Sequence, residues 1–318
     1  MPSILIIRLG AMGDVIHALP AAATLKQNFP DRKTIWLLSP RWMPLLEGNP
    51  FIDELIPFDR TGWHSWRKLR GIRPDLAVDF QGLVQSALAG RMARPGEFYG
   101  FASSVAREPL ASIFYTHRIS VTGPHRVQRN LQLVAAAGAT KQTQQAWIPQ
   151  GSPEGELPTA PFVLTSPFAG WGGKQWPLAH YERLGQFLSN EGVELVVNVR
   201  TERANELQRL RYAHIHTSSL SGLIDATRRA VAVMGVDSGP LHLAAALDKP
   251  GVALFGPTDP AQTGPSNSRM IVLRAEAAET TYKRGADVHS SMTEISAEQV
   301  AGALIRSLAG KAAPVSRQ

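Results

Sequence analysis

Residues 4–20 read Ile4-Leu5-Ile6-Ile7-Arg8-Leu9-Gly10-Ala11-Met12-Gly13-Asp14-Val15-Ile16-His17-Ala18-Leu19-Pro20. Four consecutive aliphatic residues, three of them β-branched, predict a strand buried on both faces, which is the habit of a parallel sheet covered by helices. Gly10 and Gly13 then supply a turn, and Asp14 falls at or near the start of a helix. Such a strand-turn-helix junction opens a doubly wound α/β domain, and its rim is where ligands of that fold class bind. The third glycine of G-x-G-x-x-G is missing, which speaks against a dinucleotide site. Two readings of Asp14 stand at this point: an N-cap of the helix, or a carboxylate presented to a ligand. Pro20, inside an expected helix over 15–29, predicts a kink.

Outward from this junction, short apolar runs alternate with helical patterns along the chain. Strands are expected at 4–7, 34–38, 54–56 and 76–79, then at 162–165, 194–199, 231–236 and 251–255. Helices are expected near 15–29, 82–92, 125–139, 179–191, 201–211 and 239–247. This is the pattern of two doubly wound parallel sheets. Residues 140–161, rich in Gly, Pro and Gln, break both periodicities and mark the boundary. The expected domains are 1–155 and 156–318, with the last helix a candidate to pack back on the first domain. That helix is signalled by Ser296 and Gln299 ahead of Val300, Leu304 and Leu308, the spacing of a capping box.

Composition narrows the chemistry. The 318 residues include no cysteine, so disulfides, thiolate metal sites and cysteine nucleophiles are excluded. No apolar run reaches the 18 or more residues of a membrane span, and a cytoplasmic protein is expected. Lys and Arg number 33 against 26 Asp and Glu. The whole excess lies in residues 60–129, which hold eleven Lys/Arg and four acids. So local an excess implies an anionic partner: nucleic acid, a membrane surface, or a phosphorylated or carboxylated substrate. No RNP, zinc or helix-turn-helix pattern supports nucleic acid.

Two more junctions carry candidate chemistry. Thr165-Ser166-Pro167-Phe168-Ala169-Gly170-Trp171-Gly172-Gly173-Lys174-Gln175-Trp176-Pro177 follows the first strand of the second half. Its glycines would expose backbone donors, and Lys174 a cation, to a phosphate; a flexible loop with a solvated lysine is the plain alternative. Val236-Asp237-Ser238-Gly239-Pro240-Leu241-His242 joins a buried strand to a helix, and Gly256-Pro257-Thr258-Asp259 should reach the same rim. Capping explains Asp237 and Ser238 about as well as ligand contact, and His242, on an otherwise apolar Leu/Ala helix, reads more readily as a satisfied core histidine. There is no D-x-D and no H-E-x-x-H, His214 and His216 read as exposed positions at a strand edge, and no metal is expected.

Residues 8–20, 236–247 and Phe255-Gly256-Pro257-Thr258-Asp259-Pro260 together resemble the signatures of glycosyltransferase family 9, the lipopolysaccharide heptosyltransferases. Asp79-Phe80-Gln81-Gly82-Leu83-Val84-Gln85-Ser86-Ala87 and Ala106-Arg107-Glu108-Pro109-Leu110-Ala111-Ser112-Ile113-Phe114-Tyr115 are similar to its heptosyltransferase I branch. The resemblance implies a GT-B fold of two Rossmann-like domains with the site in the cleft, and metal-independent, inverting transfer of heptose from ADP-heptose to Kdo of a Kdo-lipid A acceptor. It implies that Asp14 is the general base, that Lys174 contacts the donor, and that Asp237, Ser238, Gly239 and His242 lie at the donor site. Ala169 and Gly170 stand where the heptosyltransferase I branch has a pair of hydroxyl residues, which leaves Ser166 or backbone N–H groups to serve the diphosphate. Glu202 and Glu206 are candidates for the ribose hydroxyls, a solvated acidic face being the alternative. Gly13, Gln81, Arg67, Lys68 and Arg107 are expected at the acceptor. The stretch 60–73 mixes two Trp with five basic residues and no acid, and is expected to hold the protein on the cytoplasmic face of the inner membrane. Rival readings are a GT-B enzyme of another nucleotide sugar, a nucleic-acid-binding module, and a sugar-binding protein without catalysis; the last leaves Gly13-Asp14 without a role.

Overall fold

The structure is a computed structural model and describes residues 1–265, 268–281, 283 and 285–309. The chain divides into two units, Met1–Pro149 and Gln150–Gln318. The division falls inside the Gly/Pro-rich stretch that breaks the sequence periodicity.

The first unit is built on strands β1 (Ser3–Ile7), β2 (Lys33–Leu38), β3 (Glu54–Pro57), β4 (Leu76–Asp79), β5 (Glu97–Phe101) and β6 (His117–Ile119). They form one parallel sheet in the order β3-β2-β1-β4-β5-β6. β1 is central, which is why all five of its residues are buried. Leu5 and Ile7 share a core with Ile35, Leu37, Phe98 and alanines of the covering helix, while strand alternation turns Ile4 and Ile6 to the opposite face. The helices are α1 (Met12–Ile16), α2 (Leu19–Asn28), α3 (Trp63–Leu69), α4 (Val84–Met92) and α5 (Arg126–Ala136). α3 packs with α4, and α2 with α5. The kink expected at Pro20 is a full break: α1 and α2 are separate helices, and Pro20 sits in the first turn of α2, where its missing N–H costs nothing.

The second unit repeats the plan with β7 (Phe162–Ser166), β8 (Glu194–Val199), β9 (His214–Thr217), β10 (Ala232–Val236), β11 (Gly251–Phe255) and β12 (Met270–Arg274), in the order β12-β11-β10-β7-β8-β9. Its helices are α6 (Leu178–Asn190), α7 (Leu220–Arg229), α8 (Gly239–Ala246), α9 (Pro260–Thr263), α10 (Ser290–Thr293) and α11 (Ala297–Leu308). α11 belongs to this unit, packing on α6 and β11, and it opens with the Ser296/Gln299 capping box. The helix expected over 201–211 is a 3₁₀ segment, Thr201–Leu207. His216 also departs from expectation. β9 is an edge strand, yet His216 is only 1% exposed, because residue Glu154 of the incoming linker covers it. Its ring nitrogens lie 2.9 Å from Asn198 Nδ2 and 2.6 Å from the Glu154 carbonyl oxygen.

Counted from its own first strand, each sheet has the Rossmann order, which reverses direction between first and fourth strands. The crevice at such a reversal lies beyond the carboxyl ends of those strands. In the first unit that means the residues after Ile7 and Asp79, and in the second those after Ser166 and Val236. No helix among the described residues is long and apolar enough to cross a membrane.

Candidate active site

At the first reversal point the segments leaving β1 and β4 are tied together. Gln81 Oε1 accepts from the Leu9 N–H at 2.8 Å, and Arg8 Nη1 donates to the Phe80 carbonyl at 2.5 Å. The Arg8 guanidinium, almost fully buried, is thereby aimed at Asp14 and ion-pairs with its Oδ2. Two further guanidinium groups reach the same carboxylate: Arg107 Nη1 lies 3.4 Å from Oδ2 and Arg126 Nη1 3.4 Å from Oδ1. Asp14 makes no cap. The N-cap of α1 is Ala11, with no side-chain cap bond, so capping does not account for Asp14. Burial alone would raise the Asp14 carboxyl, but Arg8, then Arg126 and Arg107, hold it far below the ordinary carboxylate range. The group is an anion at any physiological pH.

Asp14 opens onto a concavity, continuous with solvent, whose walls include Gln81, Phe101, Arg107, Arg126 and Arg129. Four guanidinium groups against one carboxylate leave it strongly positive. Arg126 and Arg129 occupy the first turn of α5, where the helix dipole opposes a cation, so local helix stability does not account for them.

Behind this wall Asp79 closes β4. Its Oδ1 accepts from the Gln81 N–H at 2.8 Å, and its Oδ2 accepts from Ser86 Oγ and Tyr115 Oη, both at 2.8 Å. Burial raises the Asp79 carboxyl despite these donors and the charge of Arg8. Burial, then the Asp79 charge, pushes the Tyr115 hydroxyl upward, keeping it a donor. The turn after Asp79 also carries Arg107. Gly82 takes φ +66°, its carbonyl accepts from the Glu108 N–H at 2.9 Å, and a Cβ at Gly82 would lie 3.3 Å from the Arg107 nitrogen.

At the second reversal point Lys174 Nζ lies 2.5 Å from Asp237 Oδ2. Asp237 is buried, and its Oδ1 meets His242 Nε2 at 3.3 Å and accepts from Thr263 Oγ1 at 3.3 Å. Burial would raise this carboxyl too, but the His242 ring and Lys174 keep it well below the ordinary range. Thr263 ends α9, so the segment after β11 does reach this rim. Ser238 is the N-cap of α8 by position, yet its side chain makes no cap bond and its buried Oγ has no partner. Capping therefore explains neither Asp237 nor Ser238. The glycine loop is not loose. A Cβ on Gly172 would collide with the Ala286 carbonyl oxygen, and the Gly173 N–H is spent on the Gly285 carbonyl at 3.4 Å; Gly170 alone faces open space.

Of the residues expected at the acceptor, Gln81 and Arg107 meet Asp14 around one pocket, and Gly13 contributes only backbone within α1. Arg67 and Lys68 are not among the lining residues: they stand exposed on α3, with Arg67 over the Trp63 ring. Of the donor residues, Lys174, Asp237 and His242 are in contact and Gly239 opens α8, while Ser166 ends β7, half-buried. Glu202 is exposed, 4.0 Å from Arg200, and Glu206 is engaged by Arg203, whose guanidinium covers Phe168. Sequence reasoning did not single out Arg8, Arg126, Asp79 or Tyr115; the two arginines at the start of α5 were the available signal. Among the described residues no group of three His, Asp or Glu is arranged to hold a metal ion.

Two Rossmann sheets, each with an ionic site at its reversal point, are the architecture of the α/β glycosyltransferases of the GT-B class, as solved structures show. Escherichia coli heptosyltransferase WaaC with ADP-2-deoxy-2-fluoro heptose matches with a TM-score of 0.75 and 26% identity, over 94% of this chain and 97% of that one. E. coli ADP-heptose lps heptosyltransferase II matches in fold, with a TM-score of 0.79 at 24% identity, over 98% and 100%. The model of glycosyltransferase family 9 (heptosyltransferase) matches residues 63–290. Lipopolysaccharide heptosyltransferase 1 of E. coli K12 is 31% identical over 86% of this chain and 93% of its own length, and that of Pseudomonas aeruginosa 30% over 86% and 84%. The chain belongs to glycosyltransferase family 9 and is a heptosyltransferase.

Proposed function

We propose that this enzyme moves L-glycero-D-manno-heptose from ADP-heptose onto Kdo of the lipopolysaccharide inner core, with inversion and without a metal. The first unit takes the acidic acceptor and the second the nucleotide sugar. One observation carries the reading: a single ionised carboxylate, Asp14, stands in a pocket of four arginines at a Rossmann reversal point. A pocket of that charge suits a carboxylated sugar, and the carboxylate suits removal of a hydroxyl proton. As the acceptor oxygen attacks C1 opposite the diphosphate, its proton passes to Asp14, the C1–oxygen bond to the diphosphate breaks, and ADP leaves. In the second unit Lys174, the unpartnered Ser238 hydroxyl and the amino end of α8 are the groups available to take up that diphosphate charge. The likeness to heptosyltransferase 1 proteins supports Kdo as the acceptor, and a lipid-borne acceptor supports a place on the cytoplasmic face of the inner membrane.

The test is incubation with ADP-heptose and Kdo-lipid A, following ADP release and the product's anomeric configuration. Transfer that survives EDTA supports the metal-free route, and loss to EDTA overturns it. Asp14→Ala should cost turnover about 10²–10⁴-fold, the usual worth of a positioned base, and leave ADP-heptose affinity nearly unchanged. Turnover at the wild-type rate would remove Asp14 from the reaction.

A further inference from the structure

Asp14 is over-supplied with cations, and its three arginines are not equivalent. Arg8 is fixed: it is almost fully buried, held by the Phe80 carbonyl, and in direct contact with Asp14. Arg107 and Arg126 contact the carboxylate at 3.4 Å each, with side chains 42% and 32% exposed toward the open pocket. Arg107 comes from the segment after β5, and Arg126 from the first turn of α5. The Nε of Arg126 is buried with no partner, so that guanidinium holds donor capacity Asp14 does not use. The other charged or titratable groups around the carboxylate are His17 at the end of α1 and Arg129 on α5, with Asp79 buried behind Arg8. Among the described residues that line the pocket, Asp14 is the one acid against four arginines.

A carboxylate clamped by three guanidinium groups is a poor proton acceptor, because each cation favours its ionised form. The clamp and the reaction therefore conflict unless binding loosens the clamp. We propose that Arg107 and Arg126 are positioning residues that pass from Asp14 to the acceptor's anionic groups, so that Asp14 becomes an effective base only when an acidic acceptor fills the pocket. This rests on the reading of Asp14 as the base and of a carboxylated acceptor. Arg8 stays behind to keep Asp14 oriented. The device confers specificity in the catalytic step: a neutral sugar with the same hydroxyl leaves the arginines on Asp14 and reacts slowly even when bound.

The experiment compares two soluble acceptors, de-acylated Kdo-lipid A and the same compound with its Kdo carboxylates converted to methyl esters, at saturating ADP-heptose. Wild-type enzyme should show a lower kcat on the ester as well as a higher KM. Arg107→Gln and Arg126→Gln should raise the acid acceptor's KM and yet increase kcat on the ester. One guanidinium moves a nearby carboxyl by roughly 1–3 pH units, and base efficiency follows basicity, so a gain of about three- to tenfold is expected. Arginines that only support the fold would lower kcat on both acceptors, and that result, or an unchanged kcat on the ester, overturns the proposal. Asp14→Asn separates the two claims. If it is inactive on both acceptors while the arginine variants show no gain, the hand-over fails and the base stands; if it stays active, the base fails and takes the hand-over with it.

Discussion

Lys174 Nζ lies 2.5 Å from Asp237, and a cation so placed is at work before any donor arrives. Its side chain is 18% exposed and that of Asp237 5%, so the pair is shielded enough to matter for stability as well as for binding. Removing one partner of a fully buried pair costs about 3–5 kcal/mol, and the partial exposure of Lys174, with His242 and Thr263 still on Asp237, brings the expected loss for Lys174→Met to about 2 kcal/mol. The pH dependence has a definite sign. The Asp237 carboxyl is lowered in the folded chain, so the stability it contributes is present above its unfolded value and is lost as pH falls through the folded one. The gap in Tm between wild type and Lys174→Met should accordingly be full at pH 7 and narrow as the solution is taken below the ordinary carboxylate range. In activity, the variant should raise the KM for ADP-heptose and leave the acceptor KM unchanged. A change confined to the acceptor would move Lys174 out of the donor site.

Elements place these residues through a second layer of polar contacts, and the central contact is Tyr115 Oη on Asp79. β4 ends in this buried carboxylate, whose donors fix the turn that carries Gln81 and Gly82, and Gly82 in turn seats the segment bearing Arg107. Tyr115→Phe removes a buried hydrogen bond to the Asp79 carboxyl, a loss of about 0.5–3 kcal/mol that is largest where the carboxyl is ionised. Asp79 is raised in the folded chain, so its ionised form already costs stability above the unfolded value; without the Tyr115 donor it rises further. The variant's deficit in urea unfolding should therefore grow from acid to neutral pH, and a deficit independent of pH would mean that Tyr115 acts through packing alone. These elements also show what a sequence makes readable. β1, β4, β8 and β11 are buried runs and stand out, whereas β6 is three residues long and β9 carries two histidines, so neither offers a continuous apolar signal; β12, an edge strand, does carry one in Met270-Ile271-Val272-Leu273, and it is missing from the expected strands. Asp14, Lys174 and Asp237 were legible because each follows a strand at a junction. The arginine clamp was not: Arg107 lies 93 residues from Asp14, and only the tertiary fold brings them together.

Across the whole molecule, the positive excess of residues 60–129 includes two groups with different surroundings. Arg107, Arg126 and Arg129 line the Asp14 pocket, together with Arg8 from outside that stretch. Arg67 and Lys68 stand on α3 beside Trp63, which is 61% exposed. α3 packs on α4, and α4 packs on the 3₁₀ segment Pro109–Phe114, where Leu110 and Ile113 are 67% and 62% exposed. An exposed aromatic side chain beside cations, as Trp63 stands beside Arg67, suits the interface of an anionic bilayer better than a soluble sugar. If the two groups serve different parts of a lipid-borne acceptor, they can be separated by how that acceptor is presented. Arg67→Glu/Lys68→Glu should leave kcat and KM on de-acylated Kdo-lipid A within about twofold, since these residues lie off the pocket. The same variant should lose binding to vesicles containing anionic phospholipid: each basic residue near such a surface is worth about 1 kcal/mol, so reversing two costs well over tenfold in partition. Activity on acylated Kdo-lipid A embedded in those vesicles should fall in parallel, and ADP-heptose affinity should not move. Arg107→Gln should instead raise the KM on both presentations. A rise in KM on the soluble acceptor in the α3 variant would assign that helix to sugar recognition, and a fall in donor affinity would show that the basic face is not an acceptor surface at all.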